Sequence, residues 1–278
     1  MPFGQNVFFI ALTRSLKGVF MPYLKKLVSL IVLGCILTLS AVARADDVIV
    51  SAAASLTNAF TELAAGFEKK HPKLHVALNF AASNPLLKQI QEGAPVDVLA
   101  TADQATMDSA EAGKLILSPS RKNFAVNDLV LIVPKGAKKP AQLADISSFA
   151  KIAIGNPNSV PAGRYAKAAL SSAKLWEKLS TKYIFGNSVR QVLDYVARGE
   201  VDAGFVYKTD ALQKADKVDL VMTVEGHDPV QYPIAVVLTG KNAAMGQSFV
   251  DFVLSDEGQS VLKRYGFAAP QASAGEKK

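Results

Sequence analysis

The chain has 278 residues, with 31 lysines and arginines against 24 aspartates and glutamates, a net charge of +7. Half of the residues are hydrophobic and 20% are charged, which excludes a largely disordered protein, and the length allows one or two domains. Residues 1–45 carry five basic side chains and no acidic one, so residues 46–278 hold 26 basic and 24 acidic residues and a net charge of only +2. The later part of the chain therefore offers no general positive field for nucleic acid or membranes.

The first element in chain order has the pattern of a secretory signal peptide. Lys25 and Lys26 precede the uncharged run 27–43, and an Ala-Arg-Ala site ends at Ala45. A basic region, an apolar run and small residues before the cleavage point are the three parts of such a peptide. We therefore expect cleavage after Ala45, with residues 1–20 an upstream extension or a wrongly assigned start. The alternative is a retained N-terminal anchor, although this run is short for a membrane span.

The single cysteine of the sequence, Cys35, lies inside this apolar run. Val-Leu-Gly precedes it, as in a lipoprotein box, which leaves lipidation as an alternative. Residues 36–43 are still apolar, however, whereas a lipoprotein usually turns polar there. Cleavage after Ala45 would remove the cysteine and so exclude both disulfides and thiol catalysis in the exported chain.

Beyond residue 46 the sequence alternates short β-rich runs with helical patterns, which is typical of an α/β protein with mainly parallel sheets. Phe60, Leu63, Ala64 and Phe67 fall at positions i, i+3, i+4 and i+7, and they predict a helix after the first strand. The succession of strand and helix begins again near residue 151. The predicted strands are 47–51, 74–80, 96–101, 129–134, 151–155, 182–185, 201–207, 218–224 and 232–238.

Two apolar runs, 128–134 and 232–238, indicate where the chain crosses between two lobes. They predict a discontinuous first lobe of residues 46–127 plus 236–278 and a continuous second lobe of residues 128–235. The alternative is one larger doubly wound domain.

Four strand-to-helix junctions share one composition of small, hydroxyl and proline residues, at 51–56, 81–85, 159–163 and 186–189. In open α/β sheets such junctions lie at the carboxyl ends of the strands, where ligands bind. Helix N-termini there present free N–H groups and the positive end of a dipole. Several of them directed at one point would make a site for a small anion.

Other chemistry has little support in the sequence. His71, His75 and His227 do not have metal-ligand spacing, and no dinucleotide, phosphate-loop or serine-hydrolase motif is present. Asp97 and Asp103 flank a predicted buried strand and could form a carboxylate pair. The preferred interpretation of the two is a turn cap and a hydrogen bond between lobes.

Eight short motifs run in order over nearly the whole chain after residue 46. They are AAASLTNAF at 52–60, FAAS at 80–83, GAPVDVLATAD at 93–103, VPAGRYAK at 160–167, VR at 189–190, GFVY at 204–207, YPIAVV at 232–237 and KRYGF at 263–267. Together they resemble the motifs of the periplasmic molybdate-binding proteins of ABC uptake systems. The resemblance implies a type II periplasmic binding-protein fold, with two α/β lobes, each a mainly parallel sheet flanked by helices, joined by a two-strand hinge and closing on a tetrahedral oxyanion.

In that family neutral donors hold the anion, and the resemblance assigns them to Ser55, Ser83, Ala162, Val189 and Tyr207. These residues would contact molybdate, or tungstate, through its oxygens. The sequence departs from the family at 82–85, where the family often has several hydroxyls and Ser83 is alone.

The resemblance also implies how the protein works. We expect a monomeric periplasmic protein without catalysis or cofactor, which delivers its anion to the membrane permease of an ABC transporter and binds no nucleic acid. Arg190 either raises the local potential or is a surface charge of its helix. The open alternatives are a binder of another oxyanion such as sulfate, a transferase on the same fold and a membrane-tethered sensor.

Overall fold

The computed structural model describes residues 46–270, which form two sheets with helices packed against them. The predicted signal segment, Cys35 and the last eight residues of the chain lie outside this range. The strands are β1 Asp46–Ala53, β2 Leu74–Ala81, β3 Val98–Ala100, β4 Lys122–Asn127, β5 Leu129–Pro134, β6 Ile152–Gly155, β7 Tyr183–Gly186, β8 Ala203–Tyr207, β9 Val218–Thr223 and β10 Val230–Val236. The α-helices are α1 Thr57–Lys70, α2 Ser83–Gln91, α3 Gln104–Ala112, α4 Pro161–Ser172, α5 Val189–Ala197, α6 Lys208–Gln213, α7 Ala243–Leu254 and α8 Asp256–Arg264.

The first sheet has the strand order β2-β1-β3-β10-β4. Strand β1 pairs in parallel with β2 and β3, whereas β10 is antiparallel to both β3 and β4. Four strands therefore share one direction, and their carboxyl ends meet at one edge. This edge carries the two junctions of the first half of the sequence.

The second sheet repeats this plan with the order β7-β6-β8-β5-β9. Strands β7, β6 and β8 are parallel, and β5 runs against β8 and β9. Both sheets are mixed, with two parallel and two antiparallel pairings each, and in each sheet four of the five strands share one direction. The α/β class with two sheets flanked by helices is therefore confirmed.

The chain crosses between the sheets twice, at Asp128 between β4 and β5 and at 224–229 between β9 and β10. The first crossing is the first residue of the apolar run 128–134, and the second lies just before the apolar run 232–238. Residues 230–235, which the sequence assigns to the second lobe, hydrogen-bond within the first sheet as part of β10. The lobe boundaries themselves remain a prediction.

Helix α1 shows why the first sheet is stable. Phe60, Leu63, Ala64 and Phe67 are all buried, as their spacing predicts. The rings of Phe67 and Phe249 meet edge to face with centroids 5.4 Å apart. Burying each such ring contributes about 1.5–3 kcal/mol, so the apolar face of α1 fixes the helix on the sheet and fixes the junction before it.

Among residues 46–270, no helix combines the length and the apolar character that a membrane crossing requires.

Candidate functional site

One small cavity lies where the carboxyl ends of the parallel strands of both sheets come together. All five residues assigned by the resemblance line it, two from the first sheet and three from the second. Its volume is about 10 Å³, roughly the space of one water. The lining residues are Ala53, Ala54, Ser55, Ala82, Ser83, Ala102, Val160, Pro161, Ala162, Val189 and Tyr207.

Ser55 reaches the cavity because β1 ends at Ala53 and the chain tightens into a short 3₁₀ turn before α1 begins. Its side chain is buried, and its Oγ lies 3.0 Å from Oη of Tyr232 on β10. The carbonyl oxygen of Ser55 accepts a hydrogen bond from Nη2 of Arg190 at 3.2 Å. The residue is thus held from both sheets.

Ser83 is the first residue of α2, after the extended residue Ala82. It is fully buried, and its Oγ accepts a hydrogen bond from the backbone N–H of Ala102 at 3.0 Å. Since a backbone amide can only donate, the hydroxyl proton of Ser83 is left free to donate elsewhere.

The second sheet contributes two helix N-termini. Ala162 follows Pro161, the first residue of α4, and Val189 is the first residue of α5. Ser188 caps α5 by accepting a hydrogen bond from N–H of Gln191 at 3.2 Å. First-turn N–H groups have no carbonyl partner within their own helix, so Ala162 and Val189 offer donors at the positive ends of two dipoles.

Tyr207 ends β8 and points its hydroxyl at the first sheet. Its Oη donates to the carbonyl oxygen of Ala102 at 3.4 Å, a long bond between the two halves of the site. Burial raises the pKa of Tyr207 well above its ordinary value, so the side chain is a neutral donor.

Arg190 brings a charge close to the cavity, but the charge is paired. Nε of Arg190 and Oδ1 of the fully buried Asp210 lie 2.6 Å apart, as an ion pair without the alignment of a hydrogen bond. Burial raises the pKa of Asp210 to about 6, and the attraction of Arg190 opposes that rise. Arg190 is therefore neither a free surface charge nor an uncompensated positive group in the site.

Sequence reasoning missed four residues around the site: Tyr232, Asn127, Asp210 and Arg164. Tyr232 lies within the YPIAVV motif and Arg164 within the VPAGRYAK motif, which could have drawn attention to them, whereas Asn127 and Asp210 have no local signature. Asp103 caps a helix, where the sequence predicts a turn cap, and it also makes a hydrogen bond to the second sheet. It caps α3 by accepting from N–H of Thr106 at 3.4 Å, and it accepts from Nε of Arg164 across the sheets at 2.9 Å.

Asp97, the other carboxylate of the candidate pair, has structural partners. Asp97 accepts hydrogen bonds from the backbone N–H groups of Ile49 and Asn242, at 2.8 Å and 2.7 Å. In the part of the chain that the structure describes, no group of three or more His, Cys, Asp or Glu residues could hold a metal ion. The polar groups around the cavity are hydroxyls and backbone amides, whose protons suit an anion.

Comparison with known proteins gives the same picture. Residues 48–268 match the family model described as bacterial extracellular solute-binding protein. The molybdate-binding protein ModA of Escherichia coli (strain K12) is 37% identical over 82% of this chain and 91% of its own length. YvgL of Bacillus subtilis (strain 168), named as a candidate ABC transporter substrate-binding lipoprotein, is 37% identical over 79% of this chain and 85% of its own length.

Solved structures agree at the level of the fold. The periplasmic molybdate-binding protein of Azotobacter vinelandii superposes with a TM-score of 0.71 at 23% identity, covering 81% of this chain and 100% of that one.

Proposed function

We propose that this chain, which belongs to the family of bacterial extracellular solute-binding proteins, captures molybdate, and tungstate as well, for uptake by an ABC transporter. One observation carries the proposal. A single cavity is lined by hydroxyl and helix-terminal residues from both sheets, namely Ser55, Ser83, Ala162, Val189 and Tyr207. The relatives that align with most of this chain include molybdate-binding proteins.

The donor set explains how an anion could be held without a charged side chain. A dianion removed from water must be satisfied by hydrogen bonds. Hydrogen bonds to charged groups contribute about 1.5–3 kcal/mol each, so five donors supply on the order of 10 kcal/mol before the costs of association. Because Asp210 balances the charge of Arg190, the binding energy comes from dipoles and hydroxyl protons.

The same donors select among oxyanions. Molybdate at neutral pH presents only acceptors, whereas hydrogen phosphate carries an O–H that needs an acceptor of its own. Sulfate is fully deprotonated but smaller, and a cage with donors placed for the larger ion would contact it less well. Because sulfate also offers only acceptors, it is the second candidate, and its smaller size places it after molybdate and tungstate.

Binding requires the cavity to open and close. A space of about 10 Å³ is too small for a tetrahedral oxyanion, so entry requires the two sheets to separate. We assign the moving bodies to the two sheets with their helices, with the crossings at Asp128 and 224–229 as the hinge. This is the predicted division into residues 46–127 plus 236–278 and residues 128–235, except that residues 230–235 move with the first sheet as part of β10. The closed, loaded form is then the one that the permease recognises.

The remaining parts of the proposal concern the protein in the cell. The chain is exported to the periplasm by a signal peptide cleaved after Ala45, and it acts as a monomer, by binding and release and without catalysis or nucleic acid.

Calorimetric titration of the purified protein with molybdate, tungstate, sulfate and phosphate tests the function. We expect tight binding of molybdate and tungstate and weak or no binding of the other two. Tight binding of sulfate together with no binding of molybdate would overturn the proposal.

Single substitutions test the site. Ser55→Ala and Tyr207→Phe should each weaken molybdate binding about tenfold, because each removes one hydrogen bond to a charged ligand. For Tyr207 this bond to the anion would replace the long one that its hydroxyl donates to the carbonyl oxygen of Ala102. Ser109→Ala and Tyr195→Phe are matched controls outside the cavity and should leave the affinity unchanged. Wild-type affinity in both site variants would refute the assignment.

A further inference from the structure

A chain of hydrogen bonds runs from the crossing between the sheets to the cavity, and it begins at Asn127. Oδ1 of Asn127 accepts the backbone N–H of Asp128 at 3.0 Å. Because that amide can only donate, the orientation of the Asn127 side chain is fixed. Its Nδ2 therefore faces Oη of Tyr232 at 3.3 Å and Oγ1 of Thr209 at 2.8 Å, and its two protons are both used.

Tyr232 takes its direction from Asn127. The Tyr232 hydroxyl is fully buried, accepts from Nδ2 of Asn127 and lies 3.0 Å from Oγ of Ser55. Burial raises the pKa of Tyr232 well above its ordinary value, so the hydroxyl keeps its proton. With Asn127 as donor on one side, the tyrosine proton is free to be donated to Ser55 on the other side.

Ser55 is then left as a donor to the cavity. One lone pair of its Oγ is occupied by the proton of Tyr232, and its own proton has no protein acceptor to which this arrangement directs it. Ser83 reaches the same state by a different route, since its Oγ accepts from the backbone N–H of Ala102. Both site serines thus have a protein donor behind them and a proton left for the ligand.

We propose that Tyr232 is a positioning residue for anion binding, which fixes Ser55 as a donor, and that Asn127 in turn fixes Tyr232. The inference rests on the proposed function, because it requires an anion that accepts from Ser55. It explains why an isolated hydroxyl at this junction prefers a ligand that offers only acceptors. Chains of hydrogen bonds also polarise one another, which strengthens the last bond to the anion.

The direct test is a double-mutant cycle on molybdate affinity with Tyr232→Phe and Ser55→Ala. Tyr232→Phe alone should weaken binding roughly five- to tenfold, the effect of about one hydrogen bond. In the Ser55→Ala background the same substitution should weaken binding less than twofold, because the group it positions is gone. In the Ser83→Ala background Tyr232→Phe should keep its full effect, because Ser83 is positioned by the N–H of Ala102 and not by Tyr232.

A reversal test uses Asn127→Asp, which keeps the shape but replaces the donor with an acceptor. The new carboxylate would accept the tyrosine proton, so Tyr232 would have to accept from Ser55 and turn the serine proton away from the cavity. We expect a larger loss of affinity than for Tyr232→Phe. Most of the loss should disappear in the Tyr232→Phe background, whereas simple charge repulsion would persist there.

The outcomes distinguish a failure of the proposed function from a failure of the positioning role of Tyr232. If the wild-type protein binds none of the oxyanions, the proposed function fails. If it binds molybdate but the Tyr232 and Ser55 substitutions are additive, or Tyr232→Phe has wild-type affinity, the positioning role is overturned. Thermal unfolding of every variant identifies a fold defect. If Tyr232→Phe does not fold, the cycle is run with Asn127→Leu and Ser55→Ala under the same criteria.

Discussion

Arg164 on α4 forms an ion pair with Asp103 at the start of α3 and so joins the second sheet to the first. Its Nε lies 2.9 Å from Oδ2 of Asp103, and its Nη2 donates to Oγ1 of Thr106 at 3.0 Å and to Oδ1 of Asn84 at 3.2 Å. Asn84 follows Ser83 in the sequence, and Arg164 comes two residues after Ala162. The bridge therefore connects the N-termini of α2 and α4, which line the cavity from opposite sheets.

We expect Arg164→Ala to release bound molybdate about tenfold faster, because the closed form loses a charge-assisted contact between its halves. The pair is partly exposed, which reduces its contribution below that of a fully buried one. Stopped-flow measurement of dissociation checks this. Arg198→Ala, which removes an exposed ion pair with Glu200, is the matched control.

Asp103→Asn separates the bridge from the helix cap. Asparagine caps helices as well as aspartate does, so the start of α3 should be preserved while the charge is lost. Faster release with unchanged thermal stability is the expected result. Dissociation at the wild-type rate in both this variant and Arg164→Ala would show that the bridge does not hold the closed form.

Asp210 should make stability depend on pH in the direction opposite to most carboxylates. Its pKa in the folded protein is raised to about 6 from an ordinary value of 3.8 by burial, so the folded state binds the proton more tightly than the unfolded state. As pH falls from 7 to 4, wild type should gain free energy of unfolding relative to Asp210→Asn. Urea unfolding at several pH values measures this difference.

Asp219→Asn provides a control of opposite sign. The backbone N–H of Gly136 and the side chain of Lys135 lower the pKa of Asp219, so its stabilisation is present at neutral pH and is lost as pH falls through that lowered value. Wild type should therefore lose stability relative to this variant in acid. The same sign for both variants would contradict the burial argument for Asp210.

The sequence predicts the local features of the fold but not the contacts between residues that are far apart in the chain. Periodicity finds the buried face of α1, and small residues at strand ends mark the junctions that carry Ser55 and Ser83. The contact of Ser55 with Tyr232 joins residues 177 positions apart, and Arg164 lies 61 positions from Asp103. No composition or spacing encodes such pairs, because they depend on how β10 and α4 are placed after the chain has crossed between the sheets.

Gly163 lies where the backbone of α4 contacts the backbone of β6, so a side chain does not fit there. A Cβ at this position would lie 1.9 Å from the carbonyl oxygen of Gly155 and 2.5 Å from its carbonyl carbon, so α4 packs directly on the end of β6. Alanine normally stabilises a helix relative to glycine, but here it would push α4 away from the strand. The N–H of the neighbouring residue Ala162 would move out of position together with the helix.

We therefore expect Gly163→Ala to lower the free energy of unfolding by about 1–3 kcal/mol or more and to weaken molybdate binding at least tenfold. Calorimetry and thermal unfolding measure the two effects. Gly66→Ala is the matched helical control, since its Cβ would lie 3.2 Å from the Phe252 ring, a side chain that can give way. Of these two glycines, Gly163 is the one that lies against backbone and next to a binding residue. Equal effects of the two substitutions would therefore contradict this account of α4.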